Sequence, residues 1–168
     1  YPHYADSLIQ STRSLSVLKS EENFSVIKLE EERQRLSNLF RNHGYYYYRP
    51  EFTTYRADTL QKSGYVSLQV VPRNGISAEA KKQYYIGNTS VYLTGYDNEP
   101  PTDTLRLRTM TFYYSGKKPG IRPNALMRNV FFRKGELFSQ DRQTFTQEAI
   151  ARMGVFRYSE FRYEPKDT

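Results

Sequence analysis

Cysteine and tryptophan are both missing from this chain of 168 residues. Without cysteine there is no disulfide staple, no thiolate zinc site and no thiol nucleophile. Histidine is nearly missing: only His3 and His43 occur, and no serine or carboxylate constellation surrounds His43 in sequence, so it reads as a cation near a helix C-terminus. Acid–base and nucleophilic catalysis therefore lack a residue set to carry them. Long apolar runs are also wanting, and no segment approaches the roughly 20 consecutive apolar residues of a membrane-spanning helix. Asp97, Glu99 and Asp103 lack calcium-loop spacing and are interrupted by Pro100 and Pro101, so they read as a solvated loop. Glu30, Glu31 and Glu32 read as an acidic first helical turn, where the helix dipole favours negative charge. The expectation is no enzyme, no metal and no cofactor.

What the chain does hold is aromatic and basic. It carries 16 Tyr and 10 Phe, with a net charge of +7. Hydrophobic content of 38% and charged content of 26% are those of a folded protein, and the length suits one ordinary domain or two small ones. The positive charge invites a nucleic-acid reading, but the arginines are scattered and never form a run. The chain opens Tyr-Pro-His-Tyr, with neither methionine nor signal pattern, and so reads as an internal piece of a longer protein.

Residues 5–19 place Ala5, Leu8, Ile9, Thr12 and Leu15 at helical spacing, with Asp6 and Ser7 as capping residues. A second helix follows, with Leu29, Leu36, Leu39 and Phe40 on one face and Arg41 in its last turn. Gly44 takes the position after the helix, where a positive φ is commonly needed. Tyr45, Tyr46, Tyr47 and Tyr48 come next, before Arg49 and Pro50. Their high strand propensity, with the proline limit, predicts an edge strand. The alternative, base-stacking platforms, would need cations on the same face, and Arg49 and Arg56 are the ones nearby. Residues 53–64 read as a loop leading to a strand in which Val66, Leu68 and Val70 alternate with Ser67, Gln69 and Val71.

Beyond a polar linker, Tyr84 to Thr94 reads as a strand with Gly87 as a bulge, and 104–116 as one additional strand. A short helix starts near Pro123, with Leu126, Met127 and Val130 on one face. Ser139 then caps a helix with the stripe Phe145, Ala149, Ile150 and Met153, stopped by Gly154. The alternation of Phe156 and Tyr158 with Arg157 predicts a last strand, slipping phase near Ser159 before Phe161 and Tyr163. Apolar helix, glycine and aromatic strand thus occur twice, and Phe24-Ser25 matches Phe138-Ser139, which marks a degenerate internal repeat.

This order resembles the polypeptide-transport-associated (POTRA) domain of BamA/TamA-type outer-membrane protein assembly factors, of the wider surface-antigen family. The carrying stretches are EEERQRLSNLFRNHGYYYYRPEF and IRPNALMRNVFFRKGELFSQDRQTFTQEAIARMGVFRYSEFRYEP. Gly135, Phe138, Ser139, Thr146, Gly154 and Phe156 fill the family's pattern, with Ile150 and Met153 at the helix exit, while Thr89 departs from it. GYYYYRPEF followed by Asp58 looks closest to a lipoprotein-like TamA variant.

The resemblance implies an α+β fold of two tandem β-α-α-β-β modules, each with two helices on a small mixed sheet. Residues 1–80 would lack the first strand; residues 81–168 would carry an insertion at 96–118 and lack the last strand. It further implies a periplasmic arm of an outer-membrane β-barrel assembly factor that binds by β-augmentation. Its partners would be unfolded outer-membrane clients, neighbouring modules and accessory envelope proteins. Nucleic acid is not among them, and the membrane is reached only through a barrel or anchor elsewhere. The binding strands would be Tyr45 to Tyr48 and Phe156, Tyr158, Phe161 and Tyr163, with Gly44, Gly135 and Gly154 as structural turns. A basic, tyrosine-rich nucleic-acid-binding domain is the alternative.

Overall fold

In the computed structural model, which describes residues 1, 3–95 and 97–166, the chain is α+β and divides into two units. One comprises residues 1–84 with 137–140, the other 85–136 with 141–168. Tyr96, the first residue of the expected insertion, lies outside the described residues, as do Pro2, Asp167 and Thr168.

The first unit begins with α1 (His3–Ser11), which buries Ala5 and packs Leu8 and Ile9 on the core as their spacing requires. Asp6 and Ser7 fall inside this helix and do not cap it. The helix also ends well short of residue 19. Ser11 and Thr12 donate their hydroxyls to the Leu8 carbonyl at 2.9 and 3.2 Å. Such bonds compete with the helical ladder, and a 3-10 turn over Arg13–Leu15 leaves Leu15 exposed.

α2 (Val26–Arg41) starts at Ser25, an extended residue whose hydroxyl accepts the Lys28 N–H at 3.4 Å. Leu36 and Phe40 are fully buried on its inner face. β1 (Thr53–Asp58) and β2 (Ser67–Pro72) then pair antiparallel, Thr54 opposite Val71 and Arg56 opposite Gln69. The loop expected at 53–64 is therefore half strand. Thr53, Thr54 and Tyr55 have the β-branched and aromatic character that favours a ladder, and Thr53 and Tyr55 turn inward.

Glu32 corrects the sequence reading. Because α2 starts at Val26, Glu32 lies beyond the first turn and shares a face with Leu36. It is 3% exposed. Its carboxylate accepts Arg35 Nη2 at 2.6 Å, Arg35 Nε at 2.9 Å and the Val17 N–H at 3.0 Å. Arg35 also donates to Thr12 Oγ1 at 3.3 Å, so the pair ties the turn after α1 to α2. Burial pushes the Glu32 carboxyl up, but bonds from Arg35, the Val17 amide and Ser16, with the Arg35 charge, outweigh it and hold the group below its ordinary 4.5.

The second unit has β3 (Thr89–Tyr92), β4 (Asp103–Leu107) and β5 (Met110–Tyr114) in the order β3-β5-β4. β3 runs parallel to β5 and β4 antiparallel to it. The one strand expected over 104–116 is thus a tight hairpin, turning at Arg108 with φ 55°. It lies within the stretch read as an insertion and supplies two of the three strands. β3 is shorter than the expected Tyr84–Thr94. α3 (Pro123–Met127) and α4 (Gln140–Arg152) bring Leu126 and Ile150 onto Met110 and Phe112. Phe145, expected in the apolar stripe, is 55% exposed, and Thr146 is buried in its place. The Thr146 hydroxyl donates to the Arg142 carbonyl at 2.8 Å and accepts the Phe131 N–H at 2.9 Å. Among the described residues no helix is long and apolar enough to cross a membrane.

The depressed Glu32 pKa carries a stability term with a definite sign. It is present above the unfolded value of 4.5 and lost as pH falls through the lower folded value. Urea unfolding between pH 7 and pH 3 should show this loss for the native chain. Glu32→Gln should cost about 1–3 kcal/mol at pH 7 and flatten the slope over that window. An unchanged slope in the variant would refute the assignment.

Candidate functional site

Phe40 closes α2 and its ring meets Tyr1, Tyr45 and Tyr48 at centroid distances of 5.6, 5.5 and 4.4 Å. To reach it the chain must reverse directly after the helix. Gly44 does this with φ 92°, and the Tyr45 N–H returns to the Phe40 carbonyl at 3.1 Å. A Cβ at Gly44 would stand 2.7 Å from Leu137 Cδ2 and 3.3 Å from the Tyr84 carbonyl oxygen, so glycine is required on two counts.

Tyr45 to Tyr48 are therefore not an edge strand; they form a turn outside any ladder. Tyr45 and Tyr48 are buried in the core, while Tyr46 and Tyr47 are half-buried. Tyr46 packs edge-on against Tyr47 and Phe138, and Tyr47 edge-on against Tyr84. Tyr48 shares its hydroxyl with Thr53 Oγ1 at 2.9 Å and lies 3.3 Å from the Tyr1 hydroxyl. Burial pushes the Tyr48 phenol far above its ordinary 10.0, against the lowering effect of the Thr53 bond. Burial likewise raises Tyr45 and Tyr55, the nearby Glu30 and Glu32 carboxylates adding to the shift at Tyr55. These hydroxyls stay neutral at physiological pH.

Arg41 organises the outer side of this turn. Its guanidinium donates to the Tyr46 carbonyl at 2.5 Å and bonds the Gln140 side chain. It also covers the rings of Tyr46 and Phe138, at 5.4 and 5.8 Å from their centroids. The Ser139 hydroxyl donates to Asn42 Oδ1 at 3.1 Å, and the Phe138 N–H donates to the Tyr84 carbonyl at 2.9 Å. His43 donates Nδ1–H to the Leu39 carbonyl at 2.7 Å, a contact at the helix end.

In the second unit Gly135 has φ 88° and donates its N–H to the Ile86 carbonyl at 2.8 Å, while Gly154 ends α4 with φ 67°. The strand expected over residues 155–163 is absent; the segment is coil. Phe156 and Phe161 instead pack on the second core, Phe161 facing Phe132 at 6.2 Å. Tyr158 is 73% exposed and Tyr163 half-buried. Five residues separate the two anchored phenylalanines, which a strand of period 2 would place on opposite faces. The segment's aromatic side chains find a helix-lined core, and its backbone finds no ladder.

The strands with one open side are elsewhere. Among the described residues β1 and β2 have only each other, and β3 and β4 flank β5. Sequence reasoning missed β1, whose signal was Thr53-Thr54-Tyr55, and the hairpin, whose turn lacks the usual Asn-Gly or Asp-Gly marker. On the solvent side of the second sheet Tyr92 and Tyr113 stack at 4.7 Å with planes 10° apart. Among the described residues no group of three or more His, Asp or Glu is placed to hold a metal ion. No protein-family model matches the sequence, and no curated protein matches it either.

Gly44 and Gly64 make a matched pair of tests, because both have positive φ but only Gly44 is crowded. Gly64→Ala should cost about 1 kcal/mol, and Gly44→Ala about 2–4 kcal/mol, measured by denaturant unfolding. Equal costs would show that close packing against Leu137 and Tyr84 does not constrain the turn.

Proposed function

We propose that the chain is a pair of polypeptide-binding modules from the periplasmic arm of an outer-membrane β-barrel assembly factor. Its function is to hold unfolded client polypeptides, and accessory envelope proteins, by β-strand addition. The observation that carries this reading is the state of the sheets: among the described residues, every strand except β5 has a ladder neighbour on one side only. An edge strand offers a row of N–H and C=O groups to an extended guest, and main-chain bonding is tolerant of guest sequence. That tolerance suits a handler of many clients. The division of this α+β chain into two units and the resemblance of GELFSQDRQTFTQEAIARMGVF to the family pattern support the same reading.

The guest strand belongs on the β1–β2 ribbon. A two-stranded sheet is marginal by itself, so a third strand adds more there than beside β4, which already belongs to a sheet of three. The tyrosine run serves this role indirectly, by bracing the ribbon's inner side through Tyr48 and Thr53.

The nucleic-acid alternative has one observation in its favour, the exposed Tyr92–Tyr113 stack in a chain of charge +7. Two titrations separate the readings. An extended β-forming client peptide should slow amide exchange across residues 53–58 or 67–72 by about tenfold or more at saturation. Protection absent from all four edge strands overturns the peptide reading. Tight binding of a single-stranded oligonucleotide that weakens steeply with salt would favour the alternative.

A further inference from the structure

We propose that the outer face of the β1–β2 ribbon carries a binding cleft for a phosphate monoester, with Arg56 and Arg73 as its cations. The site uses side chains on a sheet face, not backbone at an edge, and so stands independently of the peptide reading. An open cleft of about 370 Å³ is lined by Thr54, Arg56, Val71, Pro72, Arg73 and Asn74. Its geometry follows from the register. Thr54 pairs with Val71, and Arg56 lies two residues further along β1 on the same face. Arg73 lies two residues beyond Val71, where its N–H meets the Phe52 carbonyl at 2.8 Å. The two arginines thus flank the Thr54–Val71 pair from opposite ends, about 13 Å apart at Cα for four residues of strand rise. Both arginines line the same cleft as the pair between them.

Charge selects the ligand. Both arginines are exposed, and among the described residues neither takes part in an ion pair. No carboxylate lines the cleft. Asp58, the next acid along that face, has Oδ1 engaged by the Leu60 N–H at 2.9 Å. The Thr54 hydroxyl already donates to the Val71 carbonyl at 3.1 Å, so the Asn74 amide is the neutral donor left to the ligand. Two planar guanidinium forks and one amide match a dianion with three terminal oxygens. A carboxylate has one charge and would leave one fork uncompensated. The monoester can belong to a small soluble molecule or to a lipid headgroup, and the ligand chemistry is the same.

The test uses the whole chain and two probes, glycerol 3-phosphate in solution and phosphatidylcholine vesicles with or without phosphatidic acid. Amide shifts at Thr54 and Asn74 locate soluble binding, and vesicle co-sedimentation reads the lipid arm. Binding should tighten from pH 5 to pH 7.5 as the second phosphate proton leaves, near pKa about 6. Arg56→Gln and Arg73→Gln should each weaken binding about tenfold, and Arg106→Gln on the other sheet should not. Response to the soluble probe identifies a soluble ligand; response to phosphatidic acid vesicles alone identifies a headgroup. No binding in either arm overturns the site, as does binding that the double variant leaves unchanged, that Arg106→Gln weakens equally, or that acetate matches in strength. The substituted side chains are exposed, and unchanged unfolding midpoints would confirm that the variants fold.

Discussion

Phe40 has to be covered, and most of the first unit follows from how that is done. The ring stands at the C-terminal end of α2, where a helix runs out of backbone partners. Covering it with residues that follow at once requires a reversal within four positions, and a left-handed residue is the means. Gly44 provides the reversal, and Tyr45 and Tyr48 after it pack on Phe40 together with Tyr1. Edge and tilted ring contacts at these distances add to the burial itself. The two large hydroxylated side chains that go inside, Tyr45 and Tyr48, are three residues apart. That is the spacing of a turn.

This spacing shows how far the sequence could be read. The helix, its face, its arginine-bearing end and its glycine stop were all visible, because each depends on local geometry. Four consecutive tyrosines carry no period, so propensity alone spoke for a strand at 45–48, and tertiary demand from Phe40 overrode it. Pro50 then holds Arg49 extended, with φ −132° and ψ 154°, and a 3-10 turn delivers the chain to β1. The strand expected at 45–48 is absent, and β1 stands in the stretch read as a loop. Glu32 failed for a related reason: three adjacent glutamates look equivalent in sequence, but only one shares the face of Leu36. Its burial also depends on Val17 and Arg35, which no local pattern announces.

The second unit separates alternation from pairing. Residues 155–163 alternate aromatic and charged side chains over their first positions, which states what could share a face and nothing about a backbone partner. The phase slip near Ser159 allows Phe156 and Phe161 both to reach the helix-lined core. Residues 103–114 err in the other direction. Their alternation is blurred because two strands meet at Arg108, a residue that gives no turn signal although it adopts φ 55°. Once the hairpin is recognised, Met110, Phe112 and Tyr114 fall on the buried side and Thr111 and Tyr113 on the other, as a half-buried strand requires.

Charge is distributed in a way that bears on what such a molecule can hold. Six ion pairs among the described residues join partners close in sequence: Glu22–Lys28, Glu30–Arg33, Glu32–Arg35, Glu136–Arg142, Glu148–Arg152 and Glu160–Arg162. Apart from Glu32–Arg35 they are largely solvated, and solvated pairs contribute little to stability. Arg56 and Arg73 belong to none of these pairs and stand on a sheet face with no acid lining their cleft. A guest strand on the ribbon's edge would meet main-chain groups that do not discriminate between sequences. A phosphate on the ribbon's face would meet side chains that discriminate strongly by charge and shape. Edge and face are orthogonal in a strand, so one ribbon can offer both without either ligand displacing the other. The buried tyrosines keep that ribbon in place by filling its inner side.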